Sequence, residues 1–464
     1  MRRVPATAPA ADSGRWPEVA TVPASTLRAA AARLAFHRVA RTLRLQVVAP
    51  GTDLSGGSST LPDSTTLPGS TVLPGSTGLV LRHPADFFRR LGADGPLGFG
   101  EAYMAGDWDA PDLAGLLTTL GAGYDQLVPA PLRVLRPLVV RRRPAEDQTI
   151  ATSRRNIQLH YDLPGEMFAA FLDETMTYSC ALFTGGTGGT GGTGGTDGTG
   201  GTDGTGGTDG TGGTDGTGGT DGTGSRCLAD AQRRKISAIL DLARVTAGTR
   251  LLEIGTGWGE LAVQAAGRGA SVVSITNSPE QHRAATERVR RAGAARRARV
   301  ELLDYRQVSG QFDAVVSVEM IEAVGDAHWP AYFAAIDRAL AQGGRAAIQA
   351  ITLPHARMRQ VSHDYSWMDK YIFPGAVIPS LQAIEQVLAR HTTLRLASAR
   401  PMAPHYARTL HAWRARFSAA RDAIIALGFD DVFCRMWEFY LAYCEAGFRT
   451  GLVDVGQYLL ERVP

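Results

Sequence analysis

The sequence predicts an α/β fold: a Rossmann-like, mostly parallel sheet with helices on both faces, preceded by a smaller N-terminal domain. Two observations carry this. From Leu228 onward, short apolar strand-like runs alternate with helical patterns, which implies βαβ units whose ligands sit at the carboxyl ends of the strands. The first run, Leu251-Leu252-Glu253-Ile254, stops at Gly255-Thr256-Gly257-Trp258-Gly259 and passes at once into a helix-like stretch, Leu261 to Ala266. A strand, a tight turn and a helix N-terminus written with three glycines let the backbone pass close to a bound nucleotide-like ligand.

Taken in order, residues 1–78 read as weakly organised. Ala29 to Leu45 has the pattern of an Arg-rich amphipathic helix. A period-six Ser/Thr-x-Leu-Pro repeat then runs through Leu61-Pro62, Leu67-Pro68 and Leu73-Pro74, and proline at that density resists helix and central strand. Residues 79–145 read as the small N-terminal domain, with a helix over Asp86 to Leu91 and a stretch rich in glycine and aromatics from Gly98 to Trp108. Within it, Gln126 to Arg143 is a basic amphipathic segment, readable as a lipid-surface contact or as a solvated helix face.

Residues 146–464 form the second domain, interrupted at 185–225 by Gly-Gly-Thr triplets with Asp197, Asp203, Asp209, Asp215 and Asp221 at period six. No apolar residue recurs there to build a core, so a flexible insertion is expected. Beyond it, Val272 to Ile275, Val300 to Leu303, Ala314 to Val318 and Ala346 to Ile351 (after a Gly343-Gly344 turn) are the further strand candidates.

The composition excludes several classes. A net charge of +3 over 464 residues gives no reason for a nucleic-acid partner. The basic residues are nearly all arginine; Lys235 and Lys370 are the two lysines. The four cysteines, Cys180, Cys227, Cys434 and Cys444, show no metal spacing and suit a reducing compartment. No apolar run reaches the roughly 18 residues of a membrane span, and no h-region follows Met1-Arg2-Arg3. A cytoplasmic protein without a metal is the expectation.

The glycine spacing is G-x-G-x-G, with Glu253 two residues ahead of Gly255. That differs from the G-x-G-x-x-G of dinucleotide sites and points to S-adenosylmethionine. The surrounding motifs are more specific. His160-Tyr161-Asp162-Leu163, Phe171-Leu172-Asp173, Met176-Thr177-Tyr178-Ser179-Cys180-Ala181 and the Ala231-Gln232 to Lys235 stretch resemble the cyclopropane-fatty-acyl-phospholipid synthase family. So do Glu253 to Gly259, Ser317-Val318-Glu319-Met320-Ile321-Glu322, Lys370 to Gly375, and Arg435-Met436-Trp437 to Phe448-Arg449. The resemblance, which includes mycolic-acid cyclopropane synthases, covers about residues 80–464 apart from the insertion.

It implies a seven-stranded methyltransferase sheet and methyl transfer from S-adenosylmethionine to a cis double bond of a phospholipid acyl chain. The resulting carbocation must be kept from water, and a base then removes a proton. The family implies bound bicarbonate as that base. Carried over by position, Glu322 would hold it, Tyr440 would donate its hydroxyl, and Cys180 and Ile351 would offer backbone groups. Gln349 stands where many members have histidine, and it cannot ionise near neutral pH. For the donor, Gly255, Gly257 and Gly259 would approach its methionine part, and Tyr178 and Ser179 would close over it from a preceding helix. Thr276 and Gln281 match the loop after the second strand, and Asp304, Tyr305 and Arg306 would lie near the adenine.

Tyr371, Phe373, Tyr406 and Trp437 are readable as cation-stabilising rings or as core. His160 and His405 read as hydrogen-bonding residues. Loss of a methyl proton with ring closure would give a cyclopropane, the product the resemblance favours; the alternative is a methylene- or methyl-branched chain. The expected setting is a peripheral membrane surface, with a homodimer and, for a methyl-branched product, a reductase as partners. A small-molecule methyltransferase and a lipid-binding protein with a degenerate site are the competing classes.

Overall fold

The computed structural model describes residues 11–49, 52–53, 78–123, 163–184, 222–362 and 364–463. The Leu-Pro repeat, the basic 126–143 segment, His160 and most of the Gly/Thr insertion lie outside these residues.

The smaller sheet contains β1 (Gln46–Ala49), β2 (Thr52–Asp53), β3 (Gly78–Leu81) and β4 (Trp108–Asp109), in the order β2-β1-β3-β4. Residues 11–49 are therefore part of a folded unit, which corrects the reading of 1–78 as weakly organised. The Arg-rich helix runs Thr26–Thr42, with the Ser25 side chain accepting from the Arg28 N–H at its N-cap. It buries Phe36 and Ala40, and Phe36 meets the edges of Phe87 and Phe88 at 5.2 and 5.7 Å. Two anchors in seventeen residues leave little apolar periodicity to read.

This unit shares one core with the long C-terminal helix Asp431–Arg449. Arg435 joins the two: its guanidinium donates to the carbonyls of Tyr103 (2.5 Å) and Trp108 (2.9 Å) and to Asp109 (3.0 Å). Trp108 is fully buried, donates from Nε1 to the Phe99 carbonyl at 3.0 Å and packs on the Phe99 ring at 4.4 Å. Trp108→Ala is expected to cost about 3–5 kcal/mol, the usual loss for emptying a buried indole site, measurable as a lower urea midpoint.

The larger sheet has seven strands: β5 (Arg250–Ile254), β6 (Ser271–Thr276), β7 (Ala298–Leu302), β8 (Phe312–Val318), β9 (Leu340–Thr352), β10 (Leu394–Pro401) and β11 (Asp454–Arg462). Their order is β10-β11-β9-β8-β5-β6-β7; β11 pairs antiparallel with both neighbours and the remaining pairs are parallel. Both faces are covered. Leu252, Ile254, Val315 and Ile348 pack against the Trp329–Ala339 and Leu381–His391 helices. Leu251, Val272, Ala314 and Val316 pack beneath the Gly222–Leu242 and Glu260–Gly267 helices. Successive residues thus serve opposite faces, both dry.

The expected Gly343-Gly344 turn appears as an irregularity within β9, with Gly343 at φ 74° and a register shift against β8 between Phe312 and Ala314. A Cβ on Gly344 would come within 3.0 Å of two carbonyl oxygens, so glycine here lets strands approach. The sheet order reverses at β5, between β6 and β8. That topological switch point is where ligands bind in open α/β sheets.

Candidate active site

The glycine turn follows β5 at this switch point. Gly255, Gly257 and Gly259 have φ of +95°, +52° and +90°, backbone values that side chains adopt only with strain. A Cβ on Gly255 would lie 2.5 Å from Met320, and one on Gly259 would lie 3.0 Å from Ala285. At Gly257 a Cβ meets nothing within 4 Å. That opening is a cradle a side chain would fill, as close approach of a ligand requires.

Glu253 is buried beside the turn. The Ser274 hydroxyl lies 2.6 Å from its carboxylate and 2.7 Å from the Thr256 hydroxyl, which ties the turn to β6. Burial pushes the Glu253 carboxyl up to about 8. A carboxyl raised in the folded state contributes stability that is complete below its ordinary 4.5 and lost as pH rises through about 8. Glu253→Gln should therefore raise the melting temperature relative to the parent more at pH 8 than at pH 5. An equal difference at both pH values would contradict this.

The remaining donor-side residues gather at the ends of β6 and β7. The Thr276 hydroxyl donates to Gln281 Oε1 at 2.9 Å and accepts from the Ser278 N–H. Asn277 Nδ2 donates to Asp304 at 3.0 Å, and Asp304 is fully buried and paired with Arg306 at 2.7 Å. These donors hold the Asp304 carboxyl below its usual range despite the burial that opposes them. Arg306 also lies over the Tyr305 ring at 5.3 Å, and burial pushes the Tyr305 phenol up to about 12. Asn277 Oδ1 is buried with no partner among the described residues. The open Gly257 cradle and this orphaned acceptor fit a polar, nucleoside-bearing donor.

Tyr178 and Ser179 lie in an extended loop, not in a helix as expected. The Ser179 hydroxyl accepts from Lys235 Nζ at 2.6 Å and its carbonyl from Gln232 at 2.8 Å. Tyr178 shares a 2.7 Å hydrogen bond with Tyr440. Ser179 is thereby committed to the Gly222–Leu242 helix, and Tyr178 alone of the two is partly open.

The structure gathers most of the expected anion site after β8, around a residue that the sequence reading passed over. Glu319 accepts from the Cys180 N–H (3.0 Å), Gln349 Nε2 (2.8 Å) and the Tyr406 hydroxyl (2.8 Å). Gln349 Nε2 also lies 3.3 Å from the Cys180 carbonyl, and its Oε1 accepts from Gln457 at 3.2 Å. Glu322 accepts from the Ile351 N–H at 2.5 Å through Oε1, while its Oε2 is buried and unpartnered. Burial, then the charge of Glu319, pushes the Glu322 carboxyl up to about 8.

Lys235, also passed over, sits fully buried beside this cluster. Burial lowers its ammonium to about 8 against the pull of Glu319. The same burial raises Glu319, while the Cys180 N–H, Gln349 and Lys235 oppose the rise. The expected groups converge: Cys180 and Gln349 meet at Glu319, Glu322 lies near it, and Tyr440, whose hydroxyl pairs with Tyr178, lies near Tyr406. Two of the backbone and side-chain donors expected for bicarbonate, the Cys180 N–H and Gln349, are already bound to Glu319, and the Ile351 N–H is bound to Glu322. The residues present do not fit a second anion on that donor set.

Cys180 is fully buried and its thiol is raised well above its ordinary value, first by burial; it packs and presents backbone. His405 accepts from the Phe183 N–H at 3.3 Å. Of the four candidate rings, Tyr371 bonds Glu101 at 2.8 Å, on the N-terminal unit, and Tyr406 serves as a donor. Phe373 lies against Tyr440 (5.7 Å), and Trp437 lies among Phe168, Phe171 and Tyr440. A cavity of about 350 Å³ opens between Trp16–Val19 and Tyr371, Met436 and Trp437.

The profile of the mycolic acid cyclopropane synthetase family matches residues 148–458. Over 98% of this chain and 96% of the relative, the sequence is 46% identical to the tuberculostearic acid methyltransferase UfaA1 of Mycobacterium tuberculosis. It is 30% identical to the cyclopropane-fatty-acyl-phospholipid synthase of Escherichia coli K12, over 81% of this chain and 86% of that one. Among solved structures, the mycolic acid cyclopropane synthase CmaA1 complexed with SAH and CTAB superposes with a TM-score of 0.54. That match has 26% identity and covers 67% of this chain and 98% of that one.

Proposed function

The chain belongs to the mycolic acid cyclopropane synthetase family of S-adenosylmethionine-dependent methyltransferases, and from this we propose that it methylates carbon at the cis double bond of an unsaturated phospholipid acyl chain. The observation that carries the proposal is the cluster of half-buried Glu319 with buried Glu322 and Lys235 beside the glycine turn. Methyl transfer to nitrogen or oxygen releases an acidic N–H or O–H proton that solvent can take, so it does not demand a base shielded from water. Methylation of an alkene does, because it leaves a carbocation that must lose a proton before water reaches it.

Bound at the Gly255–Gly259 turn, the donor supplies an electrophilic methyl group. Gly257 leaves room for it, and Thr276, Gln281 and the Asp304–Arg306 turn shape the nucleoside end. Tyr178, Tyr440, Phe168 and Trp437 form an apolar wall that excludes water and offers ring faces to a passing cation. The cavity beyond Trp437, whose lining includes Trp16, Val19, Leu163, Phe433 and Met436, suits an acyl chain. Among the described residues no helix is long and apolar enough to cross a membrane, so the proposed membrane contact is peripheral.

The product we favour is the methylene-branched chain, which a separate reductase would convert to a methyl branch. Support comes from the 46% identity that runs through the N-terminal unit as well, and from Gln349 in place of an ionisable residue. Cyclopropane closure starts from the same cation and is the second reading, favoured by the family's description and the Escherichia coli relative. Incubation with S-adenosylmethionine and oleoyl phospholipid vesicles, followed by NMR of the released acyl chains, separates them. Vinylidene proton signals are expected. Upfield cyclopropyl signals would favour the ring, and unmodified oleate would reject both.

A further inference from the structure

Glu319 combines three features that packing alone does not require. It stands directly after β8, at the switch point, with φ of 51°; a non-glycine residue there is strained and persists where its surroundings hold it. Its N–H donates to the Gln349 carbonyl at 2.7 Å. Its carboxylate is cradled by donors from three separate segments: the Cys180 N–H, Gln349 Nε2 on β9, and the Tyr406 hydroxyl on the Ala403–Ala419 helix. Gln349 is itself oriented by Gln457 on β11. The residue is half-buried, in contrast to the buried Gln349, Cys180 and Lys235 around it.

A carboxylate and a bicarbonate ion present the same planar pair of oxygens. Here the chain's own carboxylate occupies the Cys180 and Gln349 donors. We infer that Glu319 is the proton acceptor of the reaction and that this chain works without bicarbonate, an inference that rests on the acyl-methylation reading.

In the step assigned to Glu319, a C–H bond of the newly added methyl group breaks. Its electron pair fills the cationic centre, as the new π bond of a methylene after a hydride shift or as the closing bond of a ring. The proton passes to a Glu319 oxygen, giving a neutral acid that returns it to water after release. The positive charge that left the sulfonium with the methyl is thus discharged as that proton. No oxidant or reductant is required.

The test uses the full chain, labelled S-adenosylmethionine and oleoyl phospholipid vesicles, in buffer stripped of carbon dioxide, with and without added bicarbonate. The wild-type rate is expected to be the same in both. Glu319→Gln should lose at least ~100-fold, the usual weight of a general base, without rescue by bicarbonate, because the amide still fills the cradle. Calorimetric binding of S-adenosylmethionine by this variant shows that it is folded. Glu319→Gly suits the positive φ and empties the cradle, so its activity should become bicarbonate-dependent. A wild-type enzyme that stops in stripped buffer and recovers with bicarbonate would overturn the inference, as would wild-type turnover by Glu319→Gln. Wild type that labels no lipid under either condition would instead reject the acyl-methylation reading, and this inference with it.

Discussion

Gly257→Val is expected to weaken S-adenosylmethionine binding by ~100-fold, about 2.7 kcal/mol, the scale of overfilling a closely fitted site. The argument rests on what surrounds each glycine. A side chain at Gly255 would strike Met320, and one at Gly259 would press on Ala285, so either change damages the protein itself. At Gly257 nothing lies within 4 Å of a built Cβ. The folded chain should therefore lose only the strain of a valine at φ +52°, about 1–3 kcal/mol. Calorimetry against the cofactor, alongside a melting curve, separates the two effects. Unchanged affinity would mean that the open side of the turn does not face the donor.

Lys235→Met should lower turnover near neutral pH by ~10- to 100-fold and move the acidic limb of the pH–rate profile upward by at least about one unit, since one unit is a tenfold change in ionisation. The Lys235 ammonium opposes the burial-driven rise of the Glu319 and Glu253 carboxyls and of the Cys180 thiol. Glu322 acts on Glu319 in the opposite sense as it ionises, because the two carboxylates repel. The Tyr406 phenol donates to Glu319 throughout this range. Without the ammonium, less Glu319 is in the form that can take a proton, so activity falls at neutral pH and recovers as pH rises. A purely structural defect would scale the whole profile down without moving its midpoint, and that result would contradict the electrostatic role.

Much of the fold was legible because its signals are local. The runs behind β5, β6 and β8 are short, apolar, punctuated by glycine and mostly buried, while β7, at the sheet edge, buries only Ala298. The two strands beyond β9 are another matter. β10 buries only Leu394 at its start, so neither alternation nor an apolar run marks it. β11 hides a buried glutamine, Gln457, among its apolar residues. The N-terminal helix was visible as a pattern, but the unit it belongs to closes through long-range contacts from Arg435 that no local window contains.

The site divides in the same way. The glycine turn, Thr276–Gln281 and Asp304–Arg306 are contiguous motifs, and the fold places them at the ends of β5, β6 and β7. The proton-accepting cluster joins the loop before the insertion, the Gly222–Leu242 helix, β8, β9, β11 and the Ala403–Ala419 helix. Its central residue therefore could not be ranked above Glu322 from spacing alone. One signal was available: in a chain whose other basic residues are arginine, Lys235 and Lys370 are the two lysines, and both end in buried or half-buried polar clusters. A compact ammonium fits where a planar guanidinium cannot, so a rare lysine in an arginine-rich chain marks a constrained position.

The central claim is that methyl transfer to an acyl double bond is completed by removal of a proton from the added carbon. S-adenosylmethionine carrying a trideuterated methyl group tests it most directly, with mass spectrometry of the acyl chains after incubation with oleoyl phospholipid. The account predicts chains that have gained a CD2 unit, one deuterium having gone to the enzyme's base. Chains that retain all the methyl deuterium, or label found only outside the acyl chains, would contradict it.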